Sequence, residues 1–113
     1  MAIRSLGLAA ALAAAVASAA PREQVIHVTA QRFRYEPNVI TLRKGVPVVL
    51  ELVSLDREHG FKVRGLGLRA DIKPGAPTRL RFVPQRTGRF PFACDVFCGS
   101  KHEEMTGELV VVD

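Results

Sequence analysis

The sequence has few of the residues and runs that mark several classes of protein. Its 113 residues include no tryptophan, two cysteines and two methionines, one of which is Met1. After residue 20, no apolar run approaches the ~20 residues that a membrane-spanning helix needs. That part of the chain also has no internal repeat, linker or low-complexity segment, which leaves room for one modest domain.

No cluster of basic residues accompanies the formal net charge of +5. The arginines are spread singly along the chain, and no nucleic-acid-binding motif is present. Both observations argue against a nucleic-acid partner. The positive charge is still compatible with an acidic partner protein or an anionic membrane surface.

Residues 1–19 have the pattern of a secretory signal peptide. Arg4 provides the positive start, an apolar stretch follows from Leu6 to Val16, and Ala17-Ser18-Ala19 is a small-residue cleavage site. We therefore expect a domain at residues 20–113 that is periplasmic or secreted, with no transmembrane segment after the signal peptide. An uncleaved membrane anchor is the alternative.

The rest of the chain predicts short β-strands separated by turns. Val25 to Ala30 alternates apolar and polar side chains, as a half-buried strand does, and Glu36-Pro37-Asn38 is a turn signal. About seven or eight short strands without a helical period indicate an all-β sandwich or small barrel in a single domain. The predicted strands are Val25–Ala30, Val39–Leu42, Val46–Val53, Gly60–Val63, a short segment near Ala70, Thr78–Val83, Gly88–Cys94 and Gly107–Val112.

Soft metal donors are concentrated in one loop between two predicted strands. Within twelve residues this loop contains both cysteines, one of the three histidines and Met105. Thiolates and a thioether favour copper(I), while imidazole suits both copper oxidation states. A disulfide between Cys94 and Cys98 would close so short a loop that it would stabilise the fold only weakly. It would also leave His102 and Met105 unexplained.

A second histidine lies in the turn Asp56-Arg57-Glu58-His59, after the long predicted strand. In a Greek-key sandwich this turn can lie beside a loop thirty-five residues later, where His59 would supply another imidazole. Asp56 could hydrogen-bond to a ligand histidine. Glu103 and Glu104 could do the same, although we expect them to be solvated. His27 is expected to be a plain surface or packing histidine, and the predicted core aromatic residues are Phe61, Phe90, Phe92 and Phe97.

The loop resembles the metal loop of the copper A (CuA) centre in cytochrome c oxidase subunit II and nitrous-oxide reductase. The loop of that family reads Cys-x3-Cys-x3-His-x2-Met, and an upstream histidine completes the side-chain ligands. The family also uses the backbone carbonyl midway between the cysteines, which belongs to Val96 here. The matching side chains are those of His59, Cys94, Cys98, His102 and Met105.

The resemblance covers about Val25 to Val112 and implies a cupredoxin-like Greek-key β-sandwich with a dinuclear copper site. In the family both cysteine sulfurs bridge two copper ions, each copper takes one histidine, and the methionine and the carbonyl are weaker ligands. One electron shared over two metals implies fast electron transfer with little reorganisation. A further segment similar to small exported cupredoxins is Phe33-x-Tyr35-x-Pro37-x3-Thr41-x3-Gly45-x-Pro47-Val48.

The function implied by the resemblance is one-electron transfer outside the cytoplasm. The chain would not be an enzyme on its own, and its redox partner would be a c-type cytochrome or a membrane oxidase. Oxidase subunits of the family carry transmembrane helices ahead of this domain, commonly have a tryptophan-containing aromatic patch, and often have glutamate at the position of Val96. These departures leave the ligands intact but bear on whether the chain is an oxidase subunit.

Two other copper proteins fit the same residues. A mononuclear type 1 site would use His59, Cys98, His102 and Met105 and leave Cys94 without a role. A copper carrier or donor for a respiratory oxidase would use the full set and release its metal readily. The sequence does not separate these alternatives, because metal affinity depends on the groups that surround the ligands.

Overall fold

The computed structural model describes residues 22–113, and the predicted signal peptide lies outside them. These residues form nine β-strands in two sheets, two short 3-10 helices and no α-helix, which confirms the expected all-β sandwich. Neither 3-10 helix in this part of the chain is long or apolar enough to cross a membrane. The strands are β1 Gln24–Gln31, β2 Arg34–Glu36, β3 Val39–Arg43, β4 Val48–Ser54, β5 His59–Val63, β6 Leu68–Ile72, β7 Thr78–Phe82, β8 Gly88–Ala93 and β9 Thr106–Val112.

The order of the strands brings distant parts of the chain together. One sheet has the order β2-β1-β4-β7 and the other β3-β9-β8-β5-β6. The pairs β1–β4 and β3–β9 are parallel, and the remaining pairs are antiparallel. As a result β5, which begins at His59, lies beside β8, which ends immediately before Cys94.

The core lies between the sheets and follows from the apolar pattern of the strands. In β1 the predicted alternation is confirmed, because Val28 and Ala30 are buried while Val25 is exposed. Strand β4 is the most apolar, and Leu50 and Leu52 at its centre are fully buried. Complete burial of such a leucine contributes roughly 1.5–3 kcal/mol to folding.

Three aromatic rings occupy the part of the core beneath the β5–β8 pair. Tyr35 meets Phe61 and Phe92 edge-on, with ring centroids 5.9 and 5.0 Å away, and Phe61 and Phe92 lie 4.5 Å apart. The Tyr35 hydroxyl donates a 2.6 Å hydrogen bond to the carbonyl oxygen of Gly60. Burial raises the pKa of Tyr35 far above its ordinary value, so the hydroxyl remains a donor.

The observed strands differ from the predicted ones at a few ends. Strand β2 was not predicted, because it is only three residues long and is followed directly by Pro37. The predicted strand from Val46 begins at Val48 instead, since the Val46 N–H bonds to the Arg43 carbonyl in a turn. Strand β8 ends at Ala93, one residue before its predicted end.

The Tyr35 hydroxyl tests how far this core depends on a buried hydrogen bond. Tyr35→Phe keeps the ring but leaves the Gly60 carbonyl unpaired, so we expect the free energy of unfolding of the metal-free protein to fall by about 1–2 kcal/mol. Urea unfolding measures the change. Thr29→Val is the control, since it removes an exposed side-chain hydrogen bond to Glu36 and should cost less than about 0.5 kcal/mol. Equal losses in the two variants would contradict the prediction.

Candidate metal centre

Strand β5, which begins at His59, and strand β8, which ends just before Cys94, separate as they approach the metal centre. Residues Lys62 and Ala93 are the one pair in register between β5 and β8. Closer to the centre, the Gly60 N–H donates to Cys94 Sγ at 3.3 Å. A Cβ at Gly60 would collide with the Asp95 carboxylate, so this close approach requires glycine. The position after His59 therefore determines how near the Cys94 segment can lie.

The two cysteines form the middle of the donor set. Both are buried and free, with their Sγ atoms 3.8 Å apart. His59 Nδ1 lies 4.0 Å from Cys94 Sγ, and His102 Nδ1 lies 3.4 Å from Cys98 Sγ. Each thiol thus has its own imidazole, and the disulfide considered from the sequence is absent from the described residues 22–113.

The two weaker donors expected from the sequence also reach the thiols. The sulfur of Met105 lies 3.8 Å from Cys98 Sγ. The Val96 carbonyl accepts a hydrogen bond from the Cys94 thiol at 3.1 Å. His59, Cys94 and Cys98 offer donor atoms that all lie within 4.8 Å of one another. The remaining predicted donors each contact one of the two sulfurs.

The ring of His59 is held by a carboxylate on its far side. Asp56 Oδ1 lies 2.6 Å from His59 Nε2, which confirms the hydrogen bond expected for Asp56. Burial opposes ionisation of Asp56, but hydrogen bonds from the Arg32 N–H, the His59 ring and the Arg57 N–H outweigh it and lower its pKa to about 2. A charged carboxylate on Nε2 leaves Nδ1 of His59 directed at the sulfur pair.

The second half of the centre is shaped by a tight turn in the loop. Gly99 has a φ of +143°, and a Cβ there would lie 2.8 Å from the Phe33 ring. The His102 N–H bonds to the Gly99 carbonyl at 3.1 Å, which begins the 3-10 helix His102–Glu104. The Cys94 N–H then bonds to the Met105 carbonyl at 3.2 Å and ties the ends of the loop together.

The chemistry of these donors fits copper. Two thiols and a thioether are soft ligands that favour copper(I), and the two imidazoles suit both of its oxidation states. Burial, and then the neighbouring Cys94 thiol, raise the pKa of Cys98 to about 11. The Cys98 thiol therefore keeps its proton until a metal binds, and metal binding must release that proton.

Other residues singled out in the sequence lie around this centre. Glu103 and Glu104 are exposed and make no hydrogen bond to His59 or His102 in the described part of the chain, as expected of solvated residues. His27 is a surface histidine near Glu51. The expected core position is confirmed for Phe61, Phe90 and Phe92.

The expected burial of Phe97 is wrong. Its side chain is 72% exposed and its ring centroid lies 5.7 Å from that of His102. The physical reason is the path of the loop: Cys98 turns inward to the sulfur pair and Val96 packs on the core, so the residue between them faces outward.

One contact in the centre could not be predicted from the sequence. The Arg32 side chain donates to the Cys98 carbonyl at 3.1 Å, and its backbone N–H donates to Asp56 at 2.8 Å. Arg32 therefore links the two halves of the donor set. A contact between residues 66 positions apart leaves no local pattern from which it could be inferred.

Known proteins resemble this chain in sequence and in fold. Residues 4–111 match the model of the cupredoxin-like domain. Cytochrome c oxidase subunit 2 of Thermus thermophilus is 33% identical over 99 residues, which cover 88% of this chain and 73% of that protein. Nitrous-oxide reductase of Stutzerimonas stutzeri is 26% identical over 90 residues, which cover 76% of this chain but only 14% of the reductase.

A solved structure supports the same relationship at the level of the fold. The periplasmic domain of subunit II of cytochrome oxidase from Bradyrhizobium japonicum has a TM-score of 0.74 at 19% identity, with 83% of this chain and 88% of that chain covered. The chain therefore belongs to the family of cupredoxin-like domains, and it is homologous to the CuA domain of cytochrome c oxidase subunit II and to nitrous-oxide reductase.

Proposed function

We propose that the chain is a copper-binding electron carrier with a dinuclear CuA-like centre, acting outside the cytoplasm. One observation carries the proposal: two buried thiols that form no disulfide lie 3.8 Å apart, and each has an imidazole of its own. Two bridging sulfurs and two terminal imidazoles are what a pair of copper ions needs. The proposed ligands are His59, Cys94, the Val96 carbonyl, Cys98, His102 and Met105.

The position of Cys94 favours two copper ions over one. In a mononuclear type 1 site this thiol has no role. Here it is 5% exposed, lies between His59 and Cys98, and accepts the Gly60 N–H. A thiol with no ligand role would therefore lie in the middle of the donor set, within 4.0 Å of a ligand imidazole and 3.8 Å of a ligand sulfur.

The side chains of the centre are arranged to change little during a redox step. Copper bound here would supply the one-electron chemistry. Asp56 fixes the ring of His59, and the backbone bond from Cys94 to Met105 fixes the loop. His59, Cys98 and Met105 are fully buried, so they keep water away from the donors. The partly exposed ring of His102 offers the route by which an electron can enter or leave.

This burial also bears on the alternative of a copper donor. A protein that hands over its metal needs donors that a partner or a chelator can approach. Three of the proposed side-chain ligands have no exposed surface, which favours retention of copper over release. Copper delivery to a partner is therefore the alternative that the experiments on copper loss test.

The relatives and the charge beside the centre support the proposed partner and location. Homology to subunit II suggests association with an oxidase complex, and the solved relative is a periplasmic domain. An open groove beside Cys94 and His102 is lined by Lys62 and Arg64 and by Asp95, whose charge is paired with Arg69. The two remaining positive charges suit an acidic surface on a c-type cytochrome or an oxidase. The chain itself carries electrons and leaves catalysis to the partner.

The number of copper ions tests the central claim. The parent protein should bind two copper ions per chain and show a seven-line EPR hyperfine pattern. Cys94→Ser replaces a soft thiolate with a harder oxygen, so the pair should be lost, leaving at most one blue-type copper on Cys98. Met105→Leu is the matched control: the pair should survive with a shifted potential, because a weak ligand tunes more than it holds. If Cys94→Ser keeps the copper count and spectrum of the parent, a mononuclear site replaces this proposal.

Copper should also raise the thermal stability of the domain. A ligand at a hundred times its dissociation constant adds about 2.7 kcal/mol to the stability of the folded state, which raises the melting temperature of a domain this small by about 10–20 °C. Calorimetry of metal-free and copper-loaded protein measures the shift, and a double variant lacking both thiols should show none. Equal melting temperatures would count against the site. Rapid loss of copper to a chelator in either redox state would favour the donor function instead.

The carboxylate behind His59 should contribute to copper affinity. Asp56→Asn keeps the size of the side chain but removes its charge, and loss of such a partner lowers metal affinity by about 10- to 100-fold. Competition with a copper chelator measures the affinity. Glu103→Gln removes an equal charge from an exposed residue of the loop and should leave the affinity unchanged. The same affinity in both variants would show that Asp56 does not support the ligand.

A further inference from the structure

The gap between β5 and β8 leaves the Cys94 segment with little backbone support on the side of His59. Beyond the pair Lys62–Ala93, the hydrogen bond that joins the two segments runs from the Gly60 N–H to the Cys94 sulfur. Sulfur is a weak acceptor. Another contact is therefore needed to hold the Cys94 thiol at its distance from the His59 imidazole.

A guanidinium group from the next strand spans this gap. Arg69 lies on the edge strand β6, in register with Lys62 of β5. Its side chain reaches Asp95, the residue after Cys94. Its Nε lies 2.5 Å from Asp95 Oδ2 and its Nη2 lies 3.1 Å from Oδ1, so the contact is bidentate. Its Nη1 also contacts Asp71 at 2.9 Å. A fork of two charge-assisted bonds fixes direction as well as distance.

The carboxylate held by this fork lies directly on the glycine of the metal centre. A Cβ on Gly60 would collide with Asp95 Oδ1 and would lie 3.0 Å from the Asp95 backbone nitrogen. The fork from Arg69 therefore holds the Cys94–Asp95 segment against Gly60. The same glycine follows His59 and donates to Cys94 Sγ.

We propose that the Arg69–Asp95 fork positions Cys94 relative to His59, and so sets the geometry of the copper centre. Arg69 is a positioning residue, since it contacts no ligand atom. The inference rests on the proposed function. Arg69 is 42% exposed and Asp95 24%, and exposed ion pairs add little to the stability of a fold. Loss of the fork should therefore appear at the metal centre and leave the melting temperature of the metal-free protein unchanged.

The test compares Arg69→Gln with a control, Arg89→Gln. The control removes the same charge and breaks the ion pair between Arg89 and Glu108, which lies on the same sheet. Arg69→Gln should weaken copper binding about tenfold in chelator competition and shift the optical and EPR spectra. Arg89→Gln should match the parent in both. Arg69→Lys keeps the charge without the planar fork, so it should behave like Arg69→Gln.

A measurement on the metal-free protein separates this inference from the proposed function. Alkylation of Cys94 by iodoacetamide, followed by peptide mass mapping, should be severalfold faster in Arg69→Gln than in Arg89→Gln. If the two variants share the same affinity, spectra and alkylation rate, or if Arg69→Lys restores the parent values, the positioning role is wrong. If the parent binds no copper pair but the alkylation rates differ, the proposed function fails and the positioning of Cys94 stands.

Discussion

The close approach of Gly60 to Cys94 is the constraint on which the metal centre depends. The carbonyl of this glycine accepts the Tyr35 hydroxyl, and its N–H donates to the Cys94 sulfur. It follows His59, so the aromatic core, the first imidazole and the first thiol are all tied to one residue. Any side chain at this position would collide with Asp95 and push the Cys94 segment away. A shift of the aromatic core at Gly60 would therefore also shift His59 and Cys94.

The two imidazoles of the centre have unequal surroundings. His59 is fully buried and bound to the Asp56 carboxylate, whereas His102 is partly exposed and lies beside the exposed ring of Phe97. A rigid, dry side holds the donors in place, and an open side gives access to a partner. An electron carrier needs both, because its donors must not move during the redox step and yet one of them must come close to the partner.

Much of the fold and of the donor set could be predicted from the sequence, because both leave local patterns. Alternation in β1 predicts which side chains are buried, and the spacing from Cys94 to Met105 brings together donors that share one short loop. The contacts of Arg32 with Cys98 and of Arg69 with Asp95 could not be predicted in this way. They join residues that only the strand order makes neighbours. The outward position of Phe97 depends on the path of the loop between Val96 and Cys98, and an apolar residue type does not reveal that path.

Contacts within the protein hold the buried polar groups of the centre in place. Each buried polar group has a partner within the protein: His59 has Asp56, the Cys94 thiol has the Val96 carbonyl, and Cys98 lies beside His102 Nδ1. Buried polar groups that are hydrogen-bonded do not carry the large cost of unpaired ones. The fold itself therefore brings the donors together, and copper binding has to displace the protons of the thiols. Donors that the fold holds in this way are suited to keep their positions when the charge on a bound metal changes.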